Sequence, residues 1–352
     1  MALHPRFTFC IPNLNKIDYL PACIESMLAQ DSDDWCCVFV DGFSTDGCWE
    51  YMQQFANDSR FKILRGLKKG MYADWNECLR HVETEYFYIL TSDDTCYPDL
   101  VSQTTSVLEK NLDVDVCHFQ YAVIDGQGEI LHTSQEFSDD KFPIYQDFQD
   151  KFYRRSGICE SVMHFVYGTI YTSITSLVFR TKILEDMIGF SSDYGPVADY
   201  DWSMRLGLYS DVIYIPKCLA TWRTYPEQAT AQSDGLQAAI DYMKIVNKNS
   251  DLLSHLVRGN PEWMNLDKNQ MISQILDVYI HARLEAATSK GSFSDRLMNL
   301  YKAAAADPSY FGRKIMRRMT KTPYKQELTL FAMKMVRKHK LSWPPLPLTV
   351  TD

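Results

Sequence analysis

The sequence predicts an α/β fold, a mostly parallel sheet flanked by helices, followed by an α-helical C-terminal extension. Three observations carry this prediction. The first hundred residues alternate between short apolar runs and stretches with helical spacing. The junctions between them carry Gly, Asn or Asp, the residues that tolerate turn geometry. From about residue 235 the strand-like runs stop and helix formers dominate. Strand and helix in repeated alternation is the signature of a parallel sheet covered on both faces.

The elements follow in order. "RFTFCIP" reads as a strand, and "YLPACIESML" places Leu20, Cys23, Ile24, Met27 and Leu28 on one helical face, with Pro21 tolerable in the first turn. The strand "WCCVFVD", the turn "GFSTDG" and a helical pattern through Trp49, Met52 and Phe55 come next. "RFKILRG" is a third strand, "ADWNECLRHV" a helix with Trp75, Leu79 and Val82 inward, and "YFYIL" a fourth strand. Beyond residue 100 a helix "DLVSQTTSVLEKN" precedes the strands "VDVCHFQYAVID" and "SITSLVFR", the helix "DYDWSMRLGLY" and the strand "VIYIP". Three helical patterns, "GLQAAIDYMKIV", "MISQILDVYIHARLEAA" and "ELTLFAMKMVRKH", fill the last third, and "WPPLPLTVTD" reads as an extended tail. The expected division is a first domain over 1–232 and a helical C-terminal region with a basic segment over 233–352.

Composition narrows the function. A chain of 352 residues with 46% hydrophobic and 23% charged residues can bury a large core. Its net charge of -9 argues against nucleic acid as a partner. Residues 313–340 hold ten Lys or Arg against one acid, Glu327, so the remainder carries about -18. The ten cysteines show no Cys-x-x-Cys spacing and sit largely in apolar runs, as reduced core residues do. No apolar run reaches about 18 residues and no secretory pattern opens the chain, so the expected location is cytoplasmic.

Two strands end on acids. Asp41 closes the second and Asp93, followed by Asp94, closes the fourth, which puts both ends at one sheet edge, where ligands of such sheets collect. Each could instead cap a turn or helix. Adjacent carboxylates after an apolar strand suit a hard divalent cation, Mn²⁺ or Mg²⁺, bridging to phosphate. Asp199 and Asp201 can equally be first-turn acids favoured by the helix dipole.

The order of these motifs resembles the family 2 inverting glycosyltransferases with the GT-A (Rossmann-like) fold, over about residues 5 to 230. "FTFCIPNLNKIDYLPACIESMLAQ" is similar to that family's opening strand and helix, and "VFVDGFSTDGCWE" to its nucleotide-binding turn. "KGMYADWNECL" resembles its Gly-to-Asn segment, "YILTSDD" its DXD-type motif, and "GFSSDYGPVADYDWSMRLGL" the segment carrying the base. The resemblance implies that Asp41, with Pro12, Asn13, Asn15, Gly70, Asn76 and Ser92, binds the nucleotide. It implies Asp93 as metal ligand and Asp199 as general base, with Asp94, His164, Asp201, Trp202 and Arg223 as candidate contacts to donor sugar or acceptor. The implied reaction moves a sugar from a nucleotide-diphosphate donor, UDP-linked in expectation, to a hydroxyl of a sugar or lipid-linked glycan in bacterial cell-surface polysaccharide or glycan synthesis.

Departures from the pattern are Thr91 at the first DXD position, Ala198 beside the base, Asp74 one place late after Ala73, and Tyr225 where some relatives have a His. They keep open a catalytically silent nucleotide-sugar-binding module. A nucleotidyltransferase would carry a Gly-rich basic loop after the first strand, which "PNLNKIDY" is not. The basic C-terminal stretch, with Ile315, Met316, Met319, Leu328, Phe331 and Met335 among its cations, has the make-up of an interfacial helix and predicts peripheral contact at the inner face of a membrane. The same pattern also fits a helical cap on the first domain or an oligomer contact.

Overall fold

The computed structural model describes residues 5–136, 143–168, 170–228, 234–257, 269, 272–273, 275–312, 315, 324–339 and 345–348. Strands β1 (Phe7–Asn13), β2 (Trp35–Asp41), β3 (Phe61–Arg65) and β4 (Tyr86–Ile89) alternate with helices α1 (Leu20–Leu28), α2 (Cys48–Met52) and α3 (Met71–Arg80). They pair in parallel in the order β4-β1-β2-β3.

Past β4 the sheet becomes mixed. The chain runs through β5 (Thr95–Cys96), α4 (Leu100–Glu109), β6 (Val116–Ile124), β7 (Ile130–Thr133), β8 (Tyr153–Arg155), α5 (Gly157–Tyr167), β9 (Leu177–Arg180), α6 (Ile183–Asp186), α7 (Ala198–Leu206) and β10 (Val212–Arg223). Strand β9 lies antiparallel between β4 and β6, while β6 and β10 run parallel. It starts later than "SITSLVFR" suggests, because Ile174–Ser176 form a 3₁₀ turn in which the Thr175 N–H donates to the Ser173 hydroxyl.

Period-2 alternation sorts the strands onto two faces. Phe7, Phe9, Ile11, Cys37, Phe39, Tyr86 and Tyr88 pack on one side, and Cys10, Val38, Val40, Phe87 and Ile89 on the other. The second face also buries Leu236, Ala239 and Val246 of α8 (Gly235–Val257), Leu284 of α9 (His281–Thr288) and Ala303 of α10 (Phe293–Ala306). Residues on both sides of the 232/233 boundary therefore share one core. All ten cysteines are free and none is exposed.

Helix α11 (Tyr324–His339) sinks Phe331, Ala332, Met335 and Val336 into this same face. Phe331 and Met335 are thus taken up by the protein and unavailable to a lipid surface, a correction to the interfacial reading of this stretch. Ile315 is exposed, while Met316 and Met319 fall outside the described residues, as does the side chain of Leu328. Leu346 and Pro347 of the tail form β11, antiparallel to β8. Among the described residues, no helix is long and apolar enough to cross a membrane.

Candidate active site

A cleft of about 760 Å³ opens at the carboxyl ends of the parallel strands. It is lined by Pro12 and Asn13 from β1, Thr91–Asp94 after β4, Tyr72 and Asp74 of α3, Tyr171–Thr175 before β9, and Asp199, which adjoins Tyr72. Gly42 and Gly66 make room for Asp74, since a Cβ on Gly66 would stand 2.1 Å from its Oδ1. Burial raises the Asp74 carboxyl above the ordinary carboxylate range, and Asp41 nearby adds to this.

The paired acids after β4 divide their work. Asp94 turns inward: its Oδ1 accepts from the Arg223 N–H at 2.8 Å, and its Oδ2 accepts from Thr91 Oγ1 at 2.6 Å and Thr175 Oγ1 at 2.7 Å. Burial, and then the neighbouring charge of Asp93, push its carboxyl upward. It ties the strand end to β10 and to the turn before β9. Asp93 lines the same cleft, accepts from the Tyr225 hydroxyl at 2.5 Å and lies 3.5 Å from Lys16 Nζ, both through Oδ2.

Asp199, in the first turn of α7, lines the cleft with Ser203, one turn on. Its Oδ1 accepts from the Tyr200 N–H at 2.9 Å, and its own N–H donates to the Tyr72 hydroxyl at 3.3 Å. Desolvation pushes the carboxyl up to about 6, against the pull of the Tyr200 N–H and the Tyr72 hydroxyl. Such a group is ionised at neutral pH yet basic enough to take a proton.

Several expected contacts lie elsewhere. Asp41 is fully buried and is not a cleft residue, because strand register sets Asn13, Asp41 and Arg65 side by side. Its carboxylate accepts from Asn13 Nδ2 and the Ser44 N–H, each at 2.9 Å, and pairs with Arg65, which stacks 3.9 Å from the Trp49 ring. Asn15, at φ 52°, is spent on the Ser44–Thr45 turn, and Gly70, at φ 94°, precedes α3 without facing the cleft. Asn76 holds the backbone of Phe190 through both its amide atoms, at 2.7 and 2.8 Å.

Four more candidates are internal. His164 is fully buried, with Nδ1 3.3 Å from the Gly168 carbonyl. Asp201 is fully buried, pairing with Arg205 at 3.2 Å and accepting from Lys248 and Asn249 of α8 at 3.3 and 3.2 Å. Trp202 packs against Phe179 and Phe190. Arg223 donates to the carbonyls of Asp93, Asp125 and Gly126. Helical phase separates Asp199 from Asp201 and Trp202, which turn to the core. Pro12, Asn13, Ser92, Asp93, Asp94 and Asp199 do line the cleft.

The sequence reading missed Lys16, Tyr200, Tyr242 and Arg283, all of them cleft residues. Tyr242 meets Tyr200 edge-on at 4.6 Å, and the Arg283 guanidinium lies 4.6 Å from the Tyr242 ring. Both belong to the helical C-terminal third, where spacing shows an amphipathic helix but not which residue at its rim meets a ligand. Among the described residues, no three His, Cys, Asp or Glu side chains cluster as a metal cage. A Mg²⁺- or Mn²⁺-type ion that keeps its waters and shares a diphosphate needs only one or two carboxylates, and Asp93, with Oδ1 outside both of its contacts, meets that need.

Residues 8–170 match the model of "Glycosyl transferase family 2". The chain is 23% identical to "Putative glycosyltransferase EpsH" of Bacillus subtilis, over 47% of either chain. It is 24% identical to "Chondroitin synthase" of Escherichia coli, over 69% of this chain and 32% of that one. It therefore spans half or less of the length of these two curated relatives. The crystal structure of S. aureus TarS 1-349 in complex with UDP-GlcNAc superposes with a TM-score of 0.64 at 15% identity, covering 88% of this chain and 81% of that one. At that identity the likeness speaks for the fold.

Proposed function

Because residues 8–170 belong to glycosyl transferase family 2, we propose that this chain transfers a sugar, with inversion, from a nucleoside-diphosphate donor, UDP-linked, to a hydroxyl of a sugar or lipid-linked glycan. The observation that carries the reading is one cleft holding both a strand-end carboxylate, Asp93, and a desolvated helix-start carboxylate, Asp199. The first suits the phosphate end of the donor. The second suits the attacking hydroxyl.

In this reading Asn13, held by Asp41, and Pro12 carry the nucleoside, so Asp41 acts through Asn13. Ser92 and Asp93 face the diphosphate. A divalent ion on Asp93, when bound, would neutralise charge on the departing diphosphate. Asp199 takes the proton of the acceptor hydroxyl as its oxygen attacks the anomeric carbon, and the sugar–phosphate bond opens on the opposite side. One base and one displacement give inversion without a covalent sugar–enzyme step. Tyr200 and Tyr242 offer flat faces to an acceptor ring beside that base. Contact with an anionic membrane, where a lipid-linked acceptor would lie, would rest on the exposed cations Lys334, Arg337 and Lys338 of α11.

Two measurements test the reading. UDP-sugars should raise the melting temperature by the increment that RT ln(1 + [L]/Kd) requires, and a panel of nucleotide sugars that leaves it unmoved would sink the donor assignment. The acid limb of kcat/KM should titrate near the Asp199 value of about 6, rising with pH because the base must be unprotonated. Tight donor binding without turnover toward any glycan would instead support a silent sugar-nucleotide-binding module.

A further inference from the structure

Two side chains from distant segments converge on Asp93. Lys16, in the loop after β1, holds its Nζ 3.5 Å from Asp93 Oδ2, and Tyr225, just after β10, donates its hydroxyl to that same oxygen at 2.5 Å. The ammonium also donates to the Tyr225 hydroxyl and stands 4.7 Å from the ring centre, while Tyr19 packs on that ring at 4.8 Å. Lys16 and Asp93 both line the cleft.

The charge inventory of the cleft makes this lysine consequential. Its walls carry Asp74, Asp93, Asp94, Asp199 and Glu227, against Lys16 and Arg283. A diphosphate entering such a space meets repulsion unless a cation stands where it lands. Arg283 stacks on Tyr242, across the cleft wall that holds Asp199's neighbour Tyr200. Among the described residues that line the cleft, Lys16 is the cation on the Asn13 and Asp93 side.

Resting on the donor reading above, we infer that Lys16 is a direct ligand of the donor's diphosphate, stationed on Asp93 until the donor arrives. A lysine suits this: its ammonium is a compact charge with three rotatable donors on a flexible stem. Its ion pair with Asp93 is partly solvated, with side-chain exposures of 23% and 12%, so exchanging one anion for another costs little. Tyr225 stays behind as a hydrogen-bond donor to Asp93. Diphosphate binding then has a cation supplied by the chain itself, independent of any metal added.

Calorimetry tests this with UDP and uridine, in excess EDTA and in Mn²⁺. Wild type should bind UDP in EDTA, and Lys16→Met should weaken that binding at least about tenfold, the usual scale of a charge-assisted contact. Uridine binding should not change, and Lys16→Arg should keep most of the UDP affinity. Lys16→Met combined with Asp93→Asn should stay weak. Recovery of UDP binding in that double variant would show that Lys16 only neutralises Asp93, which overturns the proposal. So would a Lys16→Met protein within about twofold of wild type in EDTA, or one that loses uridine equally. Wild type that binds UDP only with Mn²⁺ overturns the role of Lys16 and leaves the donor reading standing; wild type that binds no nucleoside diphosphate under either condition overturns both.

Discussion

Replacing Asp199 by Asn is expected to lower turnover by about 10²- to 10⁴-fold, the usual worth of a positioned base, and to raise the melting temperature of the same protein. The first effect follows from removing the proton acceptor while keeping the side chain's shape and its bond from the Tyr200 N–H. Donor affinity should stay near wild type, so the loss appears in kcat with little change in donor KM. The second effect follows from proton linkage. The folded carboxyl titrates near 6 and the unfolded one near 3.8, so within that window the folded state holds a proton the unfolded state has released. Stability therefore falls as pH rises through the window, and at neutral pH the buried charge costs up to about 3 kcal/mol. A neutral Asn avoids that cost, which makes the variant a slower and firmer protein. Steady-state kinetics and a melting curve on one preparation decide the matter; near-normal transfer would remove Asp199 from the chemistry.

Asp94→Ala should fail in the opposite way. Three donors converge on this carboxylate, and one of them, the Arg223 N–H, is a buried backbone group that cannot turn elsewhere. Leaving it unmet costs about 1–3 kcal/mol, and the two hydroxyl contacts and the void bring the total to about 3–5 kcal/mol. Chemical denaturation should show a lower midpoint with an unchanged slope. Asp93→Ala, one residue away, removes a carboxylate whose partners are two side chains free to turn elsewhere, Tyr225 and Lys16, and should cost less, about 1–2 kcal/mol. A single peptide bond thus separates a substitution felt in folding from one felt at the ligand.

The same pair shows how far sequence carries. Apolar alternation and the acids at strand ends located the sheet edge, since strand direction alone places the ends of β1, β2 and β4 together. Asp93 and Asp94 follow from that, whereas Asp199, at a helix start, came from the resemblance of its segment to the family's. What spacing could not give was the second partner of each polar group. Asp41 looked like a ligand because it ends a strand, but register with Asn13 and Arg65, which depends on long-range pairing, enclosed it. Asp201 and Trp202 looked available beside Asp199, yet α8 and the aromatic core claim them. Tyr242 and Arg283 gave no local signal, because their place at the cleft is set by how α8 and α9 dock on the core.

That docking has a bearing on time as well as on space. The strand-end acids and the wall that faces them are far apart in order of synthesis, with Arg283 following Asp93 by about 190 residues. At roughly 5–20 residues per second, a ribosome needs about 10–40 s to bridge that interval. Over most of it the growing sheet's second face still awaits Val246, and to its end it awaits Leu284, Phe331 and Met335. Competence therefore arrives late and all at once, and the half-made chain, with an uncovered apolar face, is the species in which a holding chaperone should find its client.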